Sequence, residues 1–249
     1  MIVRARRVVG ILAIAAAASA AACGPHADGR DEPRTSPPAA SPRAAPSANA
    51  TPPRPIEPKR GRPRIVFLGD SLTAGLGLAM SESYPSLVQK RLDAAGLDFE
   101  VVNAGVSGDT SAGGLVRLDW ALEGDVRVLV VALGGNDALR ALPPQELQRN
   151  LATIIERAQA RGIKVVLAGM EAPPNFGRDY IVSFHKVYPA LAQQYHVAFV
   201  PFLLQGVAGS ETLNQRDGIH PTAAGARILA DTVWAALKPL AEGEKRSGS

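Results

Sequence analysis

From residue 64 onward the hydrophobic positions fall into two alternating patterns. Short apolar runs occur at Ile65–Leu68, Phe99–Val102, Val126–Leu133, Lys164–Ala168 and Val197–Val200, rich in Val, Ile, Leu and Phe. Runs of this length, nearly unbroken by polar residues, predict strands of a parallel sheet covered on both faces. Between them, helical spacing predicts helices over Tyr84–Ala95, Gln145–Arg161, Tyr180–Tyr195 and Thr222–Leu237. Gly96 and Gly162 follow two of these as left-handed cap candidates, and Pro143-Pro144 opens the second. Strand alternating with helix predicts the α/β class: a three-layer α/β/α sandwich around a five-stranded parallel sheet with right-handed crossovers. Ligands of such sheets bind beyond the C-terminal ends of the strands, so the loops after each strand are where chemistry is expected.

Composition divides the chain and sets the expected boundaries. Every aromatic residue lies at Phe67 or later, and 11 of the 20 prolines fall between Pro25 and Pro63. A proline-crowded segment without aromatics cannot bury enough apolar area to offset its chain entropy. Residues 64–240 are therefore expected to form the folded domain, 24–63 a Pro/Ala-rich disordered tether and 241–249 a disordered tail. Residues 1–63 carry ten Lys/Arg against four Asp/Glu, whereas 64–240 carry fifteen against seventeen. The basic character thus belongs to the leader and tether and gives no evidence for nucleic-acid binding by the domain.

The first 23 residues have the layout of a secretory signal: Arg4, Arg6 and Arg7, an apolar stretch from Val8 to about Ala18, then small residues up to Cys23. Alanine dominates the end of that stretch, so a permanent membrane span is the weaker reading. Ala20-Ala21-Ala22-Cys23-Gly24 resembles a bacterial lipobox, with Ala20 where leucine is usual. That resemblance implies lipidation of Cys23, export, and a membrane tether. Ordinary cleavage near an Ala-x-Ala site is the alternative. Cys23 is the sole cysteine, which excludes an intramolecular disulfide and a Cys-based metal site.

Four segments carry candidate chemistry: Gly69-Asp70-Ser71-Leu72, Ser107-Gly108-Asp109-Thr110, Gly134-Gly135-Asn136-Asp137 and Asp217-Gly218-Ile219-His220-Pro221. The first three follow strands, and the fourth precedes the last helix. A serine hydroxyl needs a base to take its proton, and histidine titrates in the useful range. That histidine needs an acceptor on its other nitrogen. Ser71, His220 and Asp217 fit these parts. A developing oxyanion needs donors already in place, and Gly108, Asn136 and the Ser71 N–H fit that need. Asp70 is expected to brace the nucleophile loop.

All four blocks, in this order, resemble those of the SGNH/GDSL hydrolases, a likeness covering roughly residues 64–240. It extends to the branch of multifunctional bacterial acyl-CoA thioesterases, lysophospholipases and arylesterases, through Val101–Ala104 leading into Gly108–Ser111, through Gly134–Arg140, and through Asn175–Arg178. The resemblance implies a flavodoxin-like SGNH fold with Ser71, Asp217 and His220 as catalytic triad. It implies Ser71, Gly108 and Asn136 as oxyanion hole, and no metal or cofactor. It also implies that the loop Ala138–Pro144 helps form an acyl pocket.

Competing readings remain at this point. Asp109 and Asp137 are a carboxylate pair of the kind glycosidases need, although nothing else supports that chemistry. His185 and His196 read as structural, and His26 lies in the tether. The expected function is an extracytoplasmic carboxylester hydrolase acting on a small ester, thioester or lipid, with a monomer as the default state. An acetyl-esterase acting on carbohydrate or peptidoglycan would keep the same triad. A non-catalytic lipid-binding lipoprotein would not need it.

Overall fold

A computed structural model describes residues 61–247; the leader, Cys23 and nearly all of the expected tether lie outside the described residues. The strands β1 (Arg64–Gly69), β2 (Glu100–Gly105), β3 (Val126–Ala132), β4 (Lys164–Ala168) and β5 (Ala198–Val200) form one parallel sheet. Its order is β2-β1-β3-β4-β5. All five expected strands are present, with ends shifted by up to three residues. Ile65–Leu68 of β1 and Val128–Val131 of β3 are wholly buried. That is why these runs lack the polar alternation of a half-exposed strand.

The helices are α1 (Ser71–Ala74), α2 (Tyr84–Ala94), α3 (Ser111–Val116), α4 (Leu118–Ala121), α5 (Gly135–Leu139), α6 (Pro144–Ala160), α7 (Arg178–Tyr195) and α8 (Ala223–Ser247). Right-handed crossovers decide which face each one covers. The step from β1 to β2 runs one way along the sheet; the steps to β3, β4 and β5 run the other way. Hence α2 lies on one face, packed with α8, and α3, α6 and α7 pack together on the other. The predicted caps hold: Gly96 and Gly162 have φ of 64° and 73°. Among the described residues no helix is long and apolar enough to cross a membrane.

Reversal of direction after β2 creates a topological switch point beside β1 and β3. The two strands are paired neighbours, and their C-terminal ends, Gly69 and Ala132, are in register. The crevice outside that point is where such sheets bind ligands. Ser71 follows β1 immediately, and Asn136 lies four residues beyond the end of β3.

Two expected boundaries are corrected. The tail is not a disordered segment from 241: α8 continues to Ser247, through Pro239. A proline removes one helical hydrogen bond and crowds the preceding turn, which favours a stop near Leu237. The apolar spacing overrides it, because Val233, Leu237 and Ala241, four apart, are all fully buried. At the other end, Arg62 and Pro63 already belong to the fold rather than to the tether. Arg62 Nη2 donates to Phe99 O at 2.7 Å, and Pro63 O accepts from the Glu100 N–H at 2.9 Å.

Ending the full chain at Leu240 should therefore lower stability by about 1–2 kcal/mol, through lost burial and helix. A thermal melt should shift down by roughly 2–8 °C. An unchanged midpoint would show that residues 241–247 contribute nothing.

Candidate active site

The structure brings Ser71 and His220 together although 149 positions separate them. The Ser71 hydroxyl lies 2.8 Å from His220 Nε2, and His220 Nδ1 lies 2.6 Å from Asp217 Oδ2. An ionised carboxylate only accepts, so Nδ1 carries the proton and Nε2 is free to accept from the serine. Asp217 Oδ1 accepts the N–H groups of Ile219 at 2.9 Å and His220 at 3.0 Å. This local turn is why an Asp-Gly-Ile-His segment presents both side chains on one side. The backbone N–H of His220, then its ring N–H, then the N–H of Ile219 hold the Asp217 carboxyl down to about 2. It is ionised at any pH where histidine acts as a base.

The proposed donors line the same cavity as Ser71: Gly108 from the loop after β2 and Asn136 from α5. Among the described residues, neither the Ser71 N–H nor the Gly108 N–H has an acceptor. Gly108 has φ of 85°, a conformation that disfavours side chains. The Asn136 amide is committed at both hydrogens in this resting arrangement. Nδ2 donates to Asp109 O at 2.9 Å and to Asp70 Oδ2 at 3.2 Å. At Gly134, with φ of 116°, an added Cβ would stand 2.0 Å from the Tyr188 hydroxyl. That close approach lets Tyr188 donate to Leu133 O at 2.9 Å and pin the end of β3.

Three further residues organise the site, and two of them, Arg117 and Gln215, lie outside the four candidate segments. Arg117 donates to Asp109 Oδ2 at 2.6 Å, Ala104 O at 2.6 Å and Gly69 O at 2.8 Å, joining the loops after β1 and β2. Asp137 is buried and accepts from the Ser111 N–H at 2.8 Å and the Ser111 hydroxyl at 2.5 Å, joining α5 to α3. Gln215 Nε2 donates to Leu76 O at 2.7 Å, and its backbone N–H donates to His220 O at 2.7 Å. It ties the histidine loop to the segment after α1. Arg117 carried no signal in the sequence, because two of its three acceptors are backbone carbonyls.

The carboxylate-pair reading fails on this geometry. Asp109 is spent on Arg117 and Asp137 on Ser111, and neither lines the cavity. His185 pairs with Glu171 at 2.8 Å, and His196 caps α7 with φ of 50°. Neither contacts Ser71. Among the described residues no group of three or more His, Cys, Asp or Glu is placed to hold a metal.

The cavity has a volume of about 590 Å³ and is mainly apolar. The expected loop supplies only a small part of its walls. Of the stretch Ala138–Pro144 only Leu139 lines it, because Ala138 is buried in the core and Pro144 starts α6. The apolar walls come instead from Met170–Pro174 after β4 and from Phe202, Leu204 and Ala208 after β5.

Asp70 braces the nucleophile turn as expected. Its Oδ1 accepts the Leu72 N–H at 3.0 Å, and Oδ2 accepts Asn136. Burial pushes its carboxyl from 3.8 up to about 6, against the opposing pull of the Leu72 N–H, the His220 charge and the Asn136 amide. The folded state thus holds this proton more tightly than the unfolded chain. The contribution to stability is full below about pH 4 and is lost as pH rises through 6. The stability of Asp70→Asn relative to the native chain should then rise between pH 4 and pH 8, by up to about 3 kcal/mol. Urea unfolding at the two pH values measures this; a pH-independent difference would contradict it.

Comparison with known proteins agrees with this geometry. Residues 67–228 match the GDSL-like Lipase/Acylhydrolase family. The chain is 49% identical over 177 residues to Esterase TesA of Pseudomonas aeruginosa, covering 71% of this chain and 88% of that one. It is 36% identical over 177 residues to Thioesterase 1/protease 1/lysophospholipase L1 of Escherichia coli, covering 71% and 84%. The crystal structure of TesA superposes with a TM-score of 0.69 at 49% identity, over 71% of this chain and 99% of that one. The chain belongs to the GDSL-like lipase/acylhydrolase family, the SGNH hydrolases, and is a hydrolase of ester bonds.

Proposed function

We propose that the protein is an exported serine carboxylester hydrolase for medium- or long-chain acyl esters, thioesters or lysophospholipids. The observation that carries the reading is the continuous relay from Ser71 Oγ through the His220 ring to Asp217, at 2.8 and 2.6 Å. In the proposed cycle, His220 Nε2 takes the Ser71 proton as Oγ attacks the acyl carbon. Asp217, ionised, stabilises the imidazolium. Negative charge developing on the carbonyl oxygen is met by the N–H groups of Ser71 and Gly108 and by Asn136 Nδ2 as it leaves Asp70. The imidazolium returns its proton to the departing alcohol or thiol. Water activated at His220 then attacks the acyl-Ser71 ester, the second tetrahedral oxyanion uses the same donors, and the acid is released.

Cavity size supports the acyl preference. Apolar pockets of roughly 300–1,000 Å³ take drug-sized ligands, and about 590 Å³ far exceeds what an acetyl group fills. The same volume weighs against the acetyl-esterase alternative. The names of the bacterial relatives reported above support the range of acyl substrates. Export, with Cys23 as lipid attachment point, is supported by the Arg4/Arg6/Arg7 run, the apolar stretch and Ala20–Gly24.

On p-nitrophenyl esters from acetyl to palmitoyl, kcat/KM should rise toward medium or long chains; a sharp acetyl optimum would overturn the acyl assignment. Ser71→Ala should lower kcat by about 10⁴ or more, and near-native turnover in the folded variant would remove Ser71 as nucleophile. Asn136→Ala should cost roughly 10²–10³ in kcat, and an unchanged kcat would exclude it from the oxyanion hole.

A further inference from the structure

Charge pairing around the cavity leaves Arg140 without a counter-charge. Asp109 is matched by Arg117, Glu171 by His185 and Asp217 by His220. Arg140 is exposed, and among the described residues no carboxylate pairs with its guanidinium. Yet both ends of the side chain are held. At its root Arg140 caps α5, where its N–H donates to Asn136 O at 3.1 Å and the Leu142 N–H donates to Asp137 O at 2.9 Å. Ala141 accommodates the turn with φ of 50°. At its tip Nη2 donates to Gly108 O at 2.8 Å. Gly108 lines the cavity beside Ser71. A guanidinium has five N–H donors in a rigid fork, and here the Gly108 carbonyl is its only hydrogen-bond acceptor among the described residues.

We propose that Arg140 is a specificity residue that receives a phosphate group carried on the alcohol or thiol portion of the substrate. This rests on the hydrolase reading above. An acyl chain occupies the apolar walls, so a charged leaving portion is left at the rim, where the guanidinium is fixed. A planar fork meets two phosphate oxygens in parallel, and a side chain already held loses little freedom on binding. The phosphate arrives either on a glycerol, as in a lysophosphatidate, or on a nucleotide-bearing thiol, as in an acyl coenzyme A.

The test uses the full chain and three octanoyl substrates: octanoylglycerol, octanoylglycerol 3-phosphate and octanoyl coenzyme A. The first two differ only in the phosphate. Arg140→Gln should lower kcat/KM for a phosphate-bearing substrate about tenfold while changing octanoylglycerol by less than about twofold. Arg140→Lys should recover part of the loss, and Arg227→Ala, an exposed arginine on α8, should lose nothing. Added salt should depress the native rate on the phosphate substrate and leave Arg140→Gln flat. A loss confined to the glycerol phosphate identifies a lipid headgroup, and one confined to the thioester identifies the nucleotide. Equal losses on all three substrates would overturn the proposal and reduce Arg140 to a support for Gly108. So would unchanged rates on both phosphate substrates. Absence of Ser71-dependent turnover on any of the three would instead overturn the hydrolase reading, and this proposal with it.

Discussion

A parallel sheet with right-handed crossovers can change direction only by leaving two neighbouring strands whose following loops diverge to opposite faces. Here those strands are β1 and β3, and Ser71 and Asn136 are hung on that divergence. The loop after β1 delivers Ser71 and the loop after β3 delivers Asn136, while β2, on the far side of β1, delivers Gly108. The histidine comes from a different part of the chain, just ahead of α8, which packs across β3, β4 and β5. Catalytic geometry is therefore a consequence of strand order, with the chemistry confined to loops whose ends are fixed by a buried sheet.

Divergent loops need cross-bracing, and the structure supplies it with buried or half-buried polar contacts. Arg117 ties the ends of β1 and β2 to Asp109 in the loop after β2. The Ser111–Asp137 pair locks α3 to α5, and Gln215 holds the histidine segment against Leu76. At Asp70 burial opposes the charge. The charge is retained where it accepts both the helix N–H that fixes Ser71 and the amide of Asn136. In the proposed mechanism, a carboxylate in this place would hold the Asn136 amide in a resting position by a 3.2 Å bond that an approaching oxyanion can outcompete. The loops are thus pinned by several bonds, while one of the two bonds that hold the Asn136 amide is long.

Much of this was legible in the residues. The strands were visible because burial on both faces removes polar alternation, and the helix ends at Gly96 and Gly162 because left-handed caps favour glycine. Ser71, Gly108, Asn136, Asp217 and His220 could be singled out because the proposed chemistry restricts each position to few residue types; the fold brings Ser71, Gly108, Asn136 and His220 to one cavity, with Asp217 behind His220. The bracing residues were not legible. Arg117 and Gln215 act on backbone carbonyls, which any sequence offers, so their partners leave no trace in the pattern. The cavity walls were only partly legible, through Leu139, for a related reason: Met170–Pro174 and the residues Phe202, Leu204 and Ala208 follow no periodicity, and only the fold shows that they line the cavity with Ser71. The extension of α8 was hidden by Pro239, whose local preference was outweighed by burial of Ala241.

The central claim is that Ser71, activated through His220, attacks under three donors, two of them backbone N–H groups and the third the Asn136 amide. Its most direct test is a crystal structure of the protein after reaction with an alkyl phosphonate. The account predicts phosphorus bonded to Ser71 Oγ and the phosphoryl oxygen within about 3 Å of the Ser71 N–H, the Gly108 N–H and Asn136 Nδ2. It also predicts that Nδ2 has moved away from Asp70, and that the alkyl chain lies along Met170 and Phe202. Phosphonate on any other residue, or a phosphoryl oxygen facing solvent with Asn136 still on Asp70, would contradict it.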